Sequence, residues 1–125
     1  MADILVVDDE PAIRETLSFI LEMEGFSVDA AADGEEALAK VRETRPKVVL
    51  LDVMMPKKDG FHVCEEIKGD PETAGTRVVI LTAMGQAADR ARALASGADA
   101  YVSKPFDEDD LVALLRHLLG GGGHD

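Results

Sequence analysis

Short apolar runs alternate with longer stretches of helical period along this chain, and the alternation repeats five times. Strands are expected at Ile4–Val7, Ser27–Ala31, Val48–Leu51, Val78–Leu81 and Ala100–Ser103. Three of them are almost wholly apolar, the mark of strands covered on both faces. Ser27–Ala31 is mixed and reads as an edge strand, and the weak run Ala100–Ser103 belongs at the opposite edge. Between them, Pro11–Met23 sets Ile13, Leu17, Ile20 and Leu21 on one helical face, opened by Pro11 and ended by Gly25. Asp33 is placed to cap a helix over Gly34–Thr44, with Glu36 as its capping-box partner and Pro46 as the stop. Gly60–Gly69 aligns Phe61, Cys64 and Ile67. Gln86–Ser96 is expected to turn Ala87, Ala91, Leu94 and Ala95 inward, with Gly97 as its C-cap. Asp107–Leu119 aligns Leu111, Leu114, Leu115 and Leu118.

Strand–helix alternation with short connections predicts an α/β fold: one parallel sheet with helices on both faces. A length of 125 residues suits one open five-stranded sheet and falls well short of a closed eightfold barrel. The domain is expected to fill residues 1–119, with 120–125 as a glycine-rich tail.

Charge narrows the function. Thirteen Lys and Arg against 25 Asp and Glu leave a net −12, so this chain is a poor ligand for nucleic acid or an anionic membrane surface. Cys64 is the only cysteine, which excludes an intrachain disulfide and a cysteine-based zinc cluster. The longest apolar runs are far too short to span a bilayer, and the N-terminus lacks the basic flank and apolar core of a signal peptide. A cytoplasmic setting is the expectation.

Open parallel sheets bind ligands beyond the carboxyl ends of their strands. The residues at that rim are Asp8 and Asp9 after the first strand, Asp52 after the third, Thr82 after the fourth and Lys104 after the fifth. Neighbouring strands lie about 4.8 Å apart, close enough for their terminal carboxylates to share one ion. Crowded acids repel unless a cation neutralises them, and hard oxygen ligands of this kind suit Mg²⁺. A lysine and a hydroxyl beside an aspartate nucleophile supply what phosphoryl transfer needs: positioning and charge neutralisation.

Taken singly, each residue has a plainer explanation. Asp8 and Asp9 suit the positive end of the first helix, Asp52 a turn, Thr82 an N-cap, and Lys104 a solvated surface. Their joint placement at one sheet edge is what favours chemistry. Elsewhere the readings are ordinary: Cys64 packs in the core, and Asp107–Asp110 form the first turn of the last helix. His62, His117 and His124 lie too far apart in sequence to make an obvious metal set. No glycine-rich phosphate loop follows the first strand, where Val-Val-Asp-Asp-Glu-Pro stands instead.

Val6-Val7-Asp8-Asp9-Glu10, Leu51-Asp52-Val53-Met54-Met55-Pro56, Leu81-Thr82-Ala83 and Lys104-Pro105-Phe106 together resemble the receiver domain of two-component response regulators, of the chemotaxis-regulator kind. The likeness covers Ile4 to about Leu119. It implies a flavodoxin-like (βα)5 doubly wound sheet of strand order 2-1-3-4-5. It implies that Asp52 accepts a phosphoryl group from a histidine kinase or histidine phosphotransfer protein. Asp8, Asp9, Asp52 and the backbone carbonyl of Met54 would hold Mg²⁺, while Thr82 and Lys104 grip the phosphoryl oxygens. Tyr101 matches the switch aromatic, which acts with Thr82 on the face of the fourth helix, fifth strand and fifth helix, where a downstream protein or output domain would dock. The Lys104-Pro105 bond in the family is cis, which aims the lysine into the pocket.

Two departures stand out. Lys58 occupies a position that is often apolar in the family. Met54 and Met84, two residues past Asp52 and Thr82, cannot orient an attacking water, so slow loss of the phosphoryl group is expected. Two other functions compete. A Mg²⁺-dependent phosphatase with an aspartate nucleophile would want an acid at position 54, where Met54 stands. A receiver-like interaction domain that is never phosphorylated would not need the complete pocket.

Overall fold

The computed structural model describes residues 3–52, 60–82, 87–103 and 106–119, with the side chains of 87–90 excepted. Five strands and five helices alternate: β1 (Ile4–Val7), α1 (Pro11–Met23), β2 (Val28–Ala31), α2 (Gly34–Thr44), β3 (Val48–Asp52), α3 (Gly60–Gly69), β4 (Arg77–Thr82), α4 (Ala87–Ala95), β5 (Ala100–Ser103) and α5 (Glu108–Leu119). All strand pairings are parallel and the order is β2-β1-β3-β4-β5. The mixed strands β2 and β5 stand at the edges, while β1 and β3 are buried throughout. An apolar strand needs cover on both faces, so it goes to the middle.

Side-chain alternation splits the core in two. Ile4, Val6, Val48, Leu50, Val79 and Leu81 meet Leu17 and Leu21 of α1 and Leu111, Val112 and Leu115 of α5. Leu5, Val7, Val49, Leu51, Val78 and Ile80 meet α2, α3 and Ala93 of α4 on the other face.

Local signals set the helix ends. Asp33 Oδ1 accepts the N–H of Glu36 at 2.9 Å, and Glu36 Oε1 accepts that of Ala32 at 2.8 Å, one residue earlier than a standard capping box reaches. Asp107 proves to be the cap of α5 rather than its first residue, accepting from the N–H groups of Asp109 and Asp110. α1 and α4 both close in the same motif. Gly25 and Gly97 adopt φ of 96° and 93°, and their N–H groups bond Glu22 and Leu94. The next residues, Phe26 and Ala98, bond Leu21 and Ala93. Only glycine takes that backbone without strain.

One expectation fails. Among the described side chains of α4 the buried positions are Ala93 and, just past the helix end, Ser96, whereas Ala91, Leu94 and Ala95 face solvent, Leu94 at 66% exposure. Ala87 lies among the residues whose side chains are not described. An alanine-rich helix carries too little contrast between faces to fix its own rotation. Two contacts with α3 accompany the observed rotation: Cys64 Sγ donates to the Ser96 carbonyl at 3.4 Å and Arg92 lies 4.5 Å over the Phe61 ring.

Cys64 is fully buried, as expected of a core thiol. Burial pushes its pKa above the usual 9.0, against the weaker opposing effects of its hydrogen bond to Ser96 and the nearby Lys68. A thiol raised in the folded state contributes stability that is complete below pH 9.0 and is lost as pH rises toward the folded pKa. Native protein at pH 8 is therefore expected to resist iodoacetamide while urea-unfolded protein alkylates readily, and mass spectrometry of timed aliquots checks this.

Candidate functional site

Asp8 follows Ile4 and Val6 in the β1 row that faces α1 and α5, and Asp52 follows Val48 and Leu50 in the equivalent row of β3. Both strands run in the same direction in the register Val7↔Leu51, so both rows end at the same edge. Their carboxylates meet there. Oxygens of Asp8, Asp9 and Asp52 all lie within 4.8 Å of one another. Asp8 and Asp52 are 1% and 6% exposed, whereas Asp9 faces solvent. Thr82 ends the adjacent strand, fully buried, one residue beyond the Asp52↔Leu81 pair and opposite Ser103 of β5. A residue read as an N-cap candidate is thus the last residue of a strand.

The turn that delivers the first acid pair is closely held. Asp8 keeps a sheet bond, its N–H donating to the Ala31 carbonyl at 3.2 Å. Its Oδ1 accepts the N–H of Glu10 at 3.0 Å, and its carbonyl accepts Nη1 of Arg14 at 2.9 Å. Sequence reasoning missed Arg14 altogether.

Three carboxylate oxygens are a hard donor set with one solvent-facing member. Octahedral Mg²⁺ at about 2.1 Å puts its ligand oxygens about 3.0 Å apart when adjacent and about 4.2 Å when opposite. A cluster within 4.8 Å needs only slight closure to match those spacings, so the residues fit a small divalent cation that keeps part of its water shell.

Tyr101 lies on β5, half-buried against the core that α2 to α4 cover. With Ser103, Phe106, Asp107, Asp110 and Leu114 it lines a groove of about 390 Å³ between β5 and α5. A second groove, of about 420 Å³, runs between α1 and α5 past Ile13, Thr16, Ile20, Phe106 and Glu108. His62 and His117 are exposed, the solvated positions expected for them. Lys104, Pro105, Met54, Lys58, Met84 and His124 lie outside the described residues.

The family model described as the response regulator receiver domain matches residues 4–116. The DNA-binding dual master transcriptional regulator RpaA of Synechocystis sp. is 44% identical over 119 residues, covering 95% of this chain and 49% of RpaA. The chain spans about half the length of the curated relatives it matches. Among solved structures, the chemotaxis protein CheY4 of Vibrio cholerae superposes with a TM-score of 0.87 at 34% identity, over 94% of this chain and 98% of that one. The receiver domain of sensor histidine kinase PA1611 from Pseudomonas aeruginosa, solved with a magnesium ion coordinated in its active-site cleft, gives 0.87 at 28% identity, over 95% and 98% of the two chains.

Proposed function

Because this chain belongs to the response regulator receiver domain family, we propose that it is a phosphorylation-operated switch whose phosphoryl acceptor is Asp52. The observation that carries the reading is the convergence of Asp8, Asp9 and Asp52 at one sheet edge with buried Thr82 on the next strand. A carboxylate oxygen of Asp52 attacks phosphorus, the bond from phosphorus to a partner's histidine nitrogen breaks, and the imidazole leaves. Thr82 donates a hydrogen bond to a phosphoryl oxygen, and Lys104 offers its ammonium to another. Asp8, Asp9, Asp52 and the carbonyl of Met54 would hold Mg²⁺, which when bound neutralises the charge that gathers on the oxygens. The magnesium in the PA1611 cleft supports that assignment.

The family is one of signalling switches rather than catalytic enzymes, so self-phosphorylation from small donors and slow self-dephosphorylation are the only covalent steps assigned to this chain. The partner supplying phosphate is a histidine kinase or histidine phosphotransfer protein, and the apolar groove between α1 and α5 flanks the turn that bears Asp8 and Asp9. Thr82 and Tyr101 form the switch. Output passes to a protein or output domain docked on the α4-β5-α5 face, and the net −12 argues against direct contact with nucleic acid. Among the described residues no helix is long and apolar enough to cross a membrane, and we assign a cytoplasmic site, the domain at 1–119 and a tail at 120–125.

The test is incubation with Mg²⁺ and a small acyl phosphate, read by intact mass. A phosphate adduct supports the switch. Turnover of a phosphomonoester would point to the phosphatase instead, and neither result, even with a cognate kinase, would leave an unphosphorylated interaction domain. Since neither Met54 nor Met84 can orient water, the adduct is expected to decay over many minutes after the donor is removed. Decay within seconds would contradict this.

A further inference from the structure

We propose that Arg14 is a positioning residue for the acid pair, fixing the Asp8–Asp9 peptide plane and with it the aim of both carboxylates. This rests on the reading above that the acid cluster takes a divalent cation.

β1 ends at Val7, so the Asp8 carbonyl is beyond the last strand residue and needs a donor from elsewhere. Arg14 supplies it from the first turn of α1, Nη1 to carbonyl oxygen at 2.9 Å. The same residue closes that turn with its own N–H, which donates to the Glu10 carbonyl at 3.0 Å. One residue therefore holds the β1–α1 connection at two points, while Glu10 makes no side-chain cap and Pro11 offers no donor. Asp8 is then held at three points: its N–H by Ala31 of β2, its carbonyl by Arg14, and its Oδ1 by the N–H of Glu10. Rotation of the Asp8–Asp9 peptide would swing the Asp9 carboxylate away from Asp8 and Asp52, and the guanidinium hydrogen bond resists that rotation.

Charge alone predicts the opposite sign. A guanidinium near the cluster repels a divalent cation, so deleting it should tighten binding, though water limits that gain to roughly a few-fold. Loss of a group that orients a metal ligand typically weakens binding about 10–100-fold. The direction of the change therefore separates the two effects.

The experiment is Mg²⁺ titration of the full chain by calorimetry, with amide shifts of Asp8, Asp9 and Glu10 followed by NMR and the thermal midpoint measured on the same samples. Arg14→Met, which keeps the apolar stem without a donor, is expected to bind Mg²⁺ about tenfold more weakly, with displaced Asp9 and Glu10 amides. Arg14→Lys, which retains charge and a donor, is expected to fall between it and the parent. Equal or tighter binding by Arg14→Met overturns the inference. If that variant does not fold, parent-like affinity in Arg14→Lys overturns it. Failure of the unsubstituted chain to bind Mg²⁺ overturns the cation-site reading beneath it.

Discussion

Asp52→Asn is expected to abolish the phosphate adduct, lowering the rate of phosphoryl acceptance at least about a thousandfold, the scale of removing a nucleophile. The substitution keeps size and shape, so lost chemistry is not confused with lost packing. The amide nitrogen is a poor nucleophile and the remaining carbonyl oxygen carries no charge. A second effect runs the other way. Three acids within 4.8 Å repel one another, and neutralising one relieves that repulsion. Without Mg²⁺, Asp52→Asn is therefore expected to melt at a higher temperature than the parent, and added Mg²⁺ should stabilise it less. An undiminished adduct in the variant, with phosphate mapped to another residue, would reject Asp52 as the acceptor.

Leu50→Ala is expected to cost about 2–5 kcal/mol of stability, because Leu50 is fully buried on the central strand between α1 and α5. Leu94→Ala is the control. Its side chain is 66% exposed, so the cost should stay below about 0.5 kcal/mol. Urea denaturation of the two variants and the parent checks both, with an unchanged slope showing that stability alone has moved. Similar losses in the two would place Leu94 inside, against the structure.

That pair also marks where sequence patterning stops being informative. α1, α2, α3, β1 and β5 occupy the spans their periodicity predicts, while β2 and β3 differ by one residue at one end and β4 by one residue at each. Those elements carry strong contrast: Leu17 and Leu21 against exposed Glu15 and Glu22, or Phe61, Cys64 and Ile67 against exposed His62 and Glu65. α4 offers alanine on every side, and its single leucine pulls the expected face outward. The inner contact uses Ser96, whose Oγ donates to the Ala93 carbonyl at 2.7 Å, and a buried serine satisfied by its own helix looks polar in sequence.

At the site, the acids could be read because strand ends in a parallel sheet share one edge. Arg14 could not, since an arginine in a first helical turn looks like any solvated cation. The distinguishing sign is its position, six residues past Asp8, where its side chain can reach back across the turn.

The seating of α4 separates cohesion from responsiveness. α3 inserts Phe61, Val63, Cys64 and Ile67 into the interior, whereas the described part of α4 commits one methyl group and the hydroxyl beyond its end. Dislodging α3 would expose a large apolar area, to which the described part of α4 adds little. Substitutions at Ala91, Leu94 and Ala95, on the outer side of α4, are therefore expected to change the chemistry of that surface while leaving the melting temperature almost untouched.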